Sequence, residues 1–247
     1  MTRSFAGRAA LVTGAGGDIG RAVATRLAER GATVYVADLR PPAVDGLIPL
    51  ALDVTDAGAV TEAFAAVGRA AGPVSLLVNA AGGPGRRRTP IDEVSDEDWH
   101  RVVSLNLDGT FHCCREAVRG MKSAGVAGSI VNISSGAGRT YSRTGVQGYA
   151  AAKAGVIGLT RQLAREAGAA GIRVNCVAPG LIDVEALRDE LGSLGTEGLG
   201  RHLSGVALGR LGRAEDLVGP ILFFLGDEAG YVTGQTISVD GGSIMLG

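Results

Sequence analysis

Tyr149 and Lys153 stand four residues apart in Tyr149-Ala-Ala-Ala-Lys153, and positions i and i+4 of a helix share one face. A phenol beside an ammonium ionises more readily than a free phenol, whose pKa is about 10. Such a group suits a general acid/base working near neutral pH. Lysine plus arginine number 24, yet Lys122 and Lys153 are the only lysines. Lysine at position 153 of so arginine-biased a chain indicates that a compact ammonium is needed there. Alone, Tyr-x-x-x-Lys is a weak signal, since a half-buried core tyrosine would look the same. Its weight comes from a glycine-rich turn near the N-terminus and from Ser134-Ser135 ahead of the tyrosine.

The glycine turn is Gly14-Ala15-Gly16-Gly17-Asp18-Ile19-Gly20, between an apolar run at 9–13 and a helical stretch from Arg21. Glycines let the backbone approach a pyrophosphate, and a helix N-terminus offers free N–H groups and a positive dipole end. The generic G-x-G-x-x-G spacing is not met, because the third glycine falls one place later. A tight turn that only packs helix on strand is the plainer alternative. Asp18 beside a diphosphate is repulsive unless its side chain caps the helix and faces outward. Eighteen residues past Gly20, Asp38 closes Val34-Tyr-Val-Ala-Asp38. A carboxylate there accepts hydrogen bonds from a ribose diol and repels a 2′-phosphate, which favours NAD over NADP. Arg40, two residues on, is the cation that would serve NADP instead.

These groups need a scaffold. Short β-branched runs at 9–13, 33–37, 48–52, 75–79, 129–133, 173–177 and 235–239 alternate with helical stretches at 19–29, 57–70, 96–122, 147–167 and 214–224. This βαβ rhythm predicts a Rossmann-type α/β fold: a doubly wound parallel seven-stranded sheet flanked by helices, in a single domain over 1–247. Ligands bind such sheets at the carboxyl ends of the strands. Seven glycines interrupt the excursion at 186–212. It is expected to be a lid over the site, with a surface loop as the plainer alternative.

Composition narrows the classes. Hydrophobic content of 46% and net charge −1 fit a soluble globular enzyme and argue against nucleic acid as a partner. The start Met1-Thr-Arg-Ser-Phe-Ala-Gly-Arg has no signal-peptide core, and no apolar run reaches membrane-spanning length, so no membrane partner is expected. Cys113, Cys114 and Cys176 show no paired spacing and are expected to be reduced, in a cytoplasmic protein. His100, His112 and His202 sit at no metal-ligand spacing, so no metal is expected. Arg86-Arg87-Arg88 follows the run at 75–79, near the edge where substrates bind. It is either an anion-recognising element or a solvated loop.

Taken together, these motifs resemble the short-chain dehydrogenase/reductase family, in its ordinary-length form similar to 3-oxoacyl-carrier-protein reductases. Thr13-Gly-Ala-Gly-Gly-Asp-Ile-Gly20 resembles the family's cofactor turn, with Asp18 where glycine is usual. Asp53-Val54 resembles its adenine-contacting pair, and Asn79-Ala80-Ala81-Gly82 its Asn-Asn-Ala-Gly. Asn106, Ser135, Tyr149 and Lys153 fall where the family carries its catalytic set, and Pro179-Gly180 and Tyr231–Gly242 complete the likeness. The resemblance implies cofactor contacts from Gly14, Gly17, Asp18, Ile19, Gly20, Asp38, Leu39, Asp53, Val54, Asn79, Ala80, Ala81, Gly82, Tyr149, Lys153, Pro179, Gly180 and Ile182. It implies hydride transfer between a nicotinamide cofactor and a secondary alcohol or ketone, with Tyr149 moving the proton. Lys153 would tune Tyr149 and bond the nicotinamide ribose. Ser135 would donate to the substrate oxygen, and Asn106 would hold a proton-relay water. It also implies a homotetramer built partly on the helices at 96–122 and 147–167.

Three departures are visible. Ser135 precedes Tyr149 by fourteen residues, one more than is common; Ser134 is the poorer candidate. Val184 stands where a threonine often holds the carboxamide, leaving that contact to the backbone of Ile182. Asp18 is the third. An NADPH-dependent 3-oxoacyl-thioester reductase is the nearest alternative, which Asp38 opposes. A cofactor-binding regulator without activity is the second, opposed by the presence of both Tyr149 and Lys153.

Overall fold

Each β-branched run forms a strand within two residues of its predicted bounds: β1 (Ala9–Thr13), β2 (Thr33–Asp38), β3 (Leu47–Ala51), β4 (Val74–Asn79), β5 (Gly128–Ile133), β6 (Ile172–Pro179) and β7 (Thr236–Val239). In this computed structural model they pair in parallel in the order β3-β2-β1-β4-β5-β6-β7. The structure describes residues 4–86, 88–142, 146–185, 195, 197–201 and 203–245. Strand order reverses between β1 and β4, which opens a crevice at their carboxyl ends. Helices cover both faces, so β1, β4 and β5 are buried along their whole length. Pro49 sits on the edge strand β3, where its missing N–H is tolerated.

Side chains alternate across the sheet and divide the core into two. Val12, Val78 and Val131 pack with α1 (Asp18–Glu29) and α7 (Ala214–Leu225) on one face. Leu11, Leu77 and Ile130 pack with α2 (Ala57–Ala71) and α4 (Gly109–Ala124) on the other. α4 ends at Gly125, whose φ of +64° is the left-handed C-cap that glycine takes without cost.

The single helix predicted over 96–122 is interrupted. α3 (Asp96–Val103) passes into a π-helical turn, Ser104–Asp108, before α4 begins. Asn106 lies in that turn, fully buried, and its amide takes hydrogen-bond partners outside the regular ladder. Such insertions concentrate at functional sites, and hydrophobic periodicity does not register them. Among the described residues four short elements were also not predicted: 3-10 turns at Ile91–Glu93, Gly168–Ala170 and Asp227–Ala229, and α5 (Gly136–Arg139). Of the excursion expected to be a lid, residues 186–194, 196 and 202 lie outside the described residues. Among the described residues no helix is long and apolar enough to cross a membrane.

The C-terminus of α7 is closed by a long-range cap. Arg173, on β6, donates to the carbonyls of Phe224 (2.5 Å), Leu225 (3.3 Å) and Gly226 (2.8 Å). These are carbonyls a helix end leaves unpaired. Arg173→Met keeps the stem and removes the donors. It is expected to cost about 2 kcal/mol, read as a lower urea midpoint at unchanged slope.

Candidate active site

The switch point is held by one hydroxyl. Thr13, the last residue of β1, accepts hydrogen bonds at Oγ1 from the N–H groups of Ala80 and Ala81, both at 3.2 Å. The loops after β1 and β4 are therefore tied together. Gly14 takes a φ of +67°, and a Cβ there would lie 2.6 Å from the Ala81 nitrogen, so no other residue fits without moving backbone. Gly17 is the N-cap of α1 and no side chain caps it, which leaves the first-turn N–H groups available to an anion. Asp38 accepts from the N–H of Gly16 (3.0 Å) and of Arg40 (3.2 Å), placing its carboxylate against the glycine turn at the end of β2.

Above these residues lies a cleft of about 530 Å³, within the usual range for a ligand site. Of the predicted cofactor contacts, Gly14, Gly17, Asp18, Ile19, Gly20, Asp38, Leu39, Asp53, Val54, Ala80, Ala81 and Gly82 line it. Leu52, Leu105 and Glu185 also line it and were not anticipated. The donors at the α1 N-terminus, the glycine surface and a carboxylate at the β2 end suit a dinucleotide.

Six predicted contacts do not line it: Tyr149 and Lys153, which stand beside it, and Asn79, Pro179, Gly180 and Ile182. Asn79 points into the core, where Nδ2 donates to Asn132 Oδ1 (2.8 Å) and Cys114 Sγ (3.3 Å). Its place on the strand turns it toward α4, so it supports the loop from beneath. Pro179 ends β6, and Gly180 is pressed against Asp240. Ile182 is core, bridged in backbone to Gly212. Asp53 does line the cleft, but its Oδ1 is taken by the N–H (2.9 Å) and hydroxyl (2.7 Å) of Thr55.

The proton-transfer candidates converge beside the cleft. Tyr149 and Lys153 share one face of α6 (Gln147–Ala167), with Nζ 5.6 Å from the Tyr149 ring centroid. Lys153 is buried and donates to the Ile133 carbonyl at 2.8 Å. A Cβ on Gly82 would stand 3.1 Å from Nζ, so this glycine keeps the ammonium next to the cleft wall. Gly138 of α5 does the same for the helix backbone: a Cβ there would lie 2.7 Å from the Lys153 carbonyl oxygen. Sequence reasoning missed Gly138, which only the packing of α5 on α6 exposes.

The two serines differ. Ser134 is buried, its hydroxyl donating to the Lys153 carbonyl at 2.7 Å. Ser135 is half-buried; its Oγ accepts from the N–H of Ala137 (3.2 Å), which leaves its own proton for another acceptor. Asn106 uses both amide protons, on Val102 O (2.8 Å) and Gly83 O (2.9 Å), while Oδ1 accepts from Gly83 N (3.2 Å). Its side chain clamps the Gly83 backbone, so the expected relay water is not held by the amide protons. Tyr149 also borders a small cavity with Trp99, Gln147 and Arg86. Arg86 pairs loosely with Asp98 at 3.5 Å, and Arg87 lies outside the described residues. Among the histidines, His112 Nδ1 lies 3.0 Å from the Val54 carbonyl and His202 lies outside the described residues. Cys113 and Cys114 are core, and burial pushes both thiols up, Cys114 to about 12.

Residues 14–243 match the family model described as enoyl-(acyl carrier protein) reductase. The chain is 38% identical to a 3-oxoacyl-(acyl-carrier-protein) reductase of Thermotoga maritima, over 97% of this chain and 98% of that one. The chain belongs to the short-chain dehydrogenase/reductase family. It is 37% identical to a (3R)-3-hydroxyacyl-CoA dehydrogenase of Canis lupus familiaris, with 96% of each chain covered. A solved short-chain dehydrogenase/reductase of Mycobacterium ulcerans superposes with a TM-score of 0.90 at 33% identity, covering 97% of this chain and 90% of that one. The protein is thus an oxidoreductase of a nicotinamide-dependent family.

Within this short-chain dehydrogenase/reductase, the departure at Asp18 has a definite geometry. Asp18 does not cap α1, because Gly17 holds that place; it is the first helical residue. Its carboxylate pairs with Arg21 (2.6 Å) and accepts from the Glu185 N–H (2.7 Å). Val184 packs against the core as an apolar residue.

Burial is also what sets the lysine's charge. Desolvation lowers Lys153 from 10.5 to about 8. Between those values the unfolded chain holds a proton the folded chain has lost, so this group's contribution to stability rises with pH across that window. Lys153→Met does not titrate. Urea unfolding at pH 7 and pH 10 is expected to show the native protein gaining about 2 kcal/mol relative to that variant.

Proposed function

We propose that this protein transfers hydride between NAD(H) and carbon 3 of a 3-hydroxyacyl or 3-oxoacyl thioester, a secondary alcohol/ketone pair. The bound nicotinamide supplies or accepts the hydride. In oxidation, Tyr149 takes the hydroxyl proton, and in reduction it returns one to the carbonyl oxygen. Lys153 sits on the same helix face and favours the phenolate. Ser135, whose oxygen is already an acceptor for Ala137, donates its hydrogen to the substrate oxygen and stabilises charge developing there. Asn106 keeps Gly83, and with it the cleft wall beside Lys153, in place. The thioester class is supported by the names of the two relatives above, one acting on a carrier-protein thioester and one on a CoA thioester.

Cofactor preference rests on one observation, the Asp38 carboxylate held against the glycine turn by the Gly16 N–H. From there it meets the adenosine ribose diol and repels a 2′-phosphate. Titration by fluorescence is expected to show NADH binding at least about tenfold more tightly than NADPH, and Asp38→Asn is expected to narrow that gap. Tighter NADPH binding by the native protein would overturn the preference. Tyr149→Phe is expected to bind NADH as before and to lose about a thousandfold in turnover on a 3-oxoacyl-CoA. Retained turnover would sink the assignment of the acid/base.

We further propose a homotetramer. Ala151, Ala154 and Gly158 are exposed on the outer side of α6, and Phe111 is exposed on α4 beneath the Arg115 guanidinium at 5.3 Å. Small exposed residues allow two helices to approach closely, and an exposed aromatic offers apolar surface to bury. Sedimentation is expected to give four chain masses, and Phe111→Glu to shift it toward smaller species.

A further inference from the structure

We infer that Asp18 is a positioning residue that straps the segment following β6 across the mouth of the cleft. The functional consequence drawn below rests on the dinucleotide reading above; the strap itself does not. Asp18 and Glu185 both line the cleft, one from the glycine turn and the other from the chain leaving β6. The hydrogen bond from Glu185 N to Asp18 Oδ2, at 2.7 Å, joins residues 167 positions apart. Its donor is main chain, so any residue at 185 except proline would supply it. Its acceptor is the side chain of residue 18, and the glycine usual at that place has none.

The strap has a second anchor. Three residues before Glu185, Ile182 is buried in the core and paired in backbone with Gly212. Val184 packs against the same core. The segment is thus fixed from beneath by apolar burial and from across the cleft by the carboxylate. Val184 brings no hydroxyl where a threonine often does, and Asp18 brings an acceptor where glycine often brings none. The two departures lie side by side, since Asp18 accepts from the residue that follows Val184.

The charge of Asp18 is also accounted for. A bare carboxylate at the α1 N-terminus would oppose a diphosphate, but the Arg21 guanidinium lies 2.6 Å from Oδ1. The pair places a cation on one carboxylate oxygen and the strap on the other. An acidic residue in the first turn also suits the helix dipole when the anion site is empty. Both residues line the cleft that would take the dinucleotide, so loss of the Asp18–Glu185 bond is expected to ease its release.

Asp18→Gly removes the acceptor, whereas Asp18→Asn keeps an amide oxygen in the same place. Amide hydrogen exchange in the cofactor-free protein is expected to speed up at Glu185 in Asp18→Gly and to stay near native in Asp18→Asn. Stopped-flow release of NADH is expected to accelerate about fivefold in Asp18→Gly and to remain within about twofold in Asp18→Asn, the range for losing one charge-assisted hydrogen bond near the surface. Unchanged exchange at Glu185 in Asp18→Gly would overturn the strap. Equal or slower NADH release in that variant would overturn its role in holding the cofactor. If Asp18→Asn behaved like Asp18→Gly, charge rather than the hydrogen bond would be the cause, and the strap would fail. A native protein that binds no nucleotide would defeat the dinucleotide reading instead, and exchange at Glu185 would still decide the strap.

Discussion

An ammonium with almost no exposure to water is the constraint around which this molecule is arranged. Burying Lys153 costs enough to bring its pKa down to about 8, and the structure offers it the Ile133 carbonyl at the end of β5 in return. Reaching that carbonyl requires α6 to lie hard against β5 and β6. Ser134 bonds the helix backbone at Lys153, and Gly138 has no side chain to hold α5 away from it. Gly82 leaves room on the cleft side. A lysine so placed changes protonation more readily than one at the surface, and it shares a helix face with the phenol proposed to move the proton.

The dinucleotide half of the site depends on a different kind of economy. Almost nothing in it is a side chain reaching out; most of it is main chain brought close. Thr13 ties two loops across the switch point, Gly14 lets them touch, and the first turn of α1 presents its N–H groups. Two of the carboxylates that do appear, Asp38 and Asp18, are each held by a backbone N–H from a neighbouring segment. They shape the cleft as well as charging it. The π-helical turn at Asn106 serves the same end, since the side-chain amide it carries clamps the backbone of Gly83.

Sequence alone determined the βαβ order, because the period of apolar residues is a local property that burial on both faces of a parallel sheet enforces. It also placed Tyr149 with Lys153, since helix geometry fixes i and i+4 without reference to the rest of the chain. The glycine turn and Asp38 were legible for a similar reason: the chemistry lies in residue type at the end of a strand. That the Asn79 side chain faces Asn132 and Cys114 was not legible, because a residue's motif does not say which face of the strand it occupies. Between the two serines the spacing favoured Ser135, while the fold shows what Ser134 does instead, bonding the Lys153 carbonyl. The break at 104–108, the closeness of Gly138 to Lys153 and the bond from Asp18 to Glu185 were decided only by tertiary structure. Each joins segments far apart in the chain, or breaks a local period for the sake of a distant contact, and no local pattern records such a meeting.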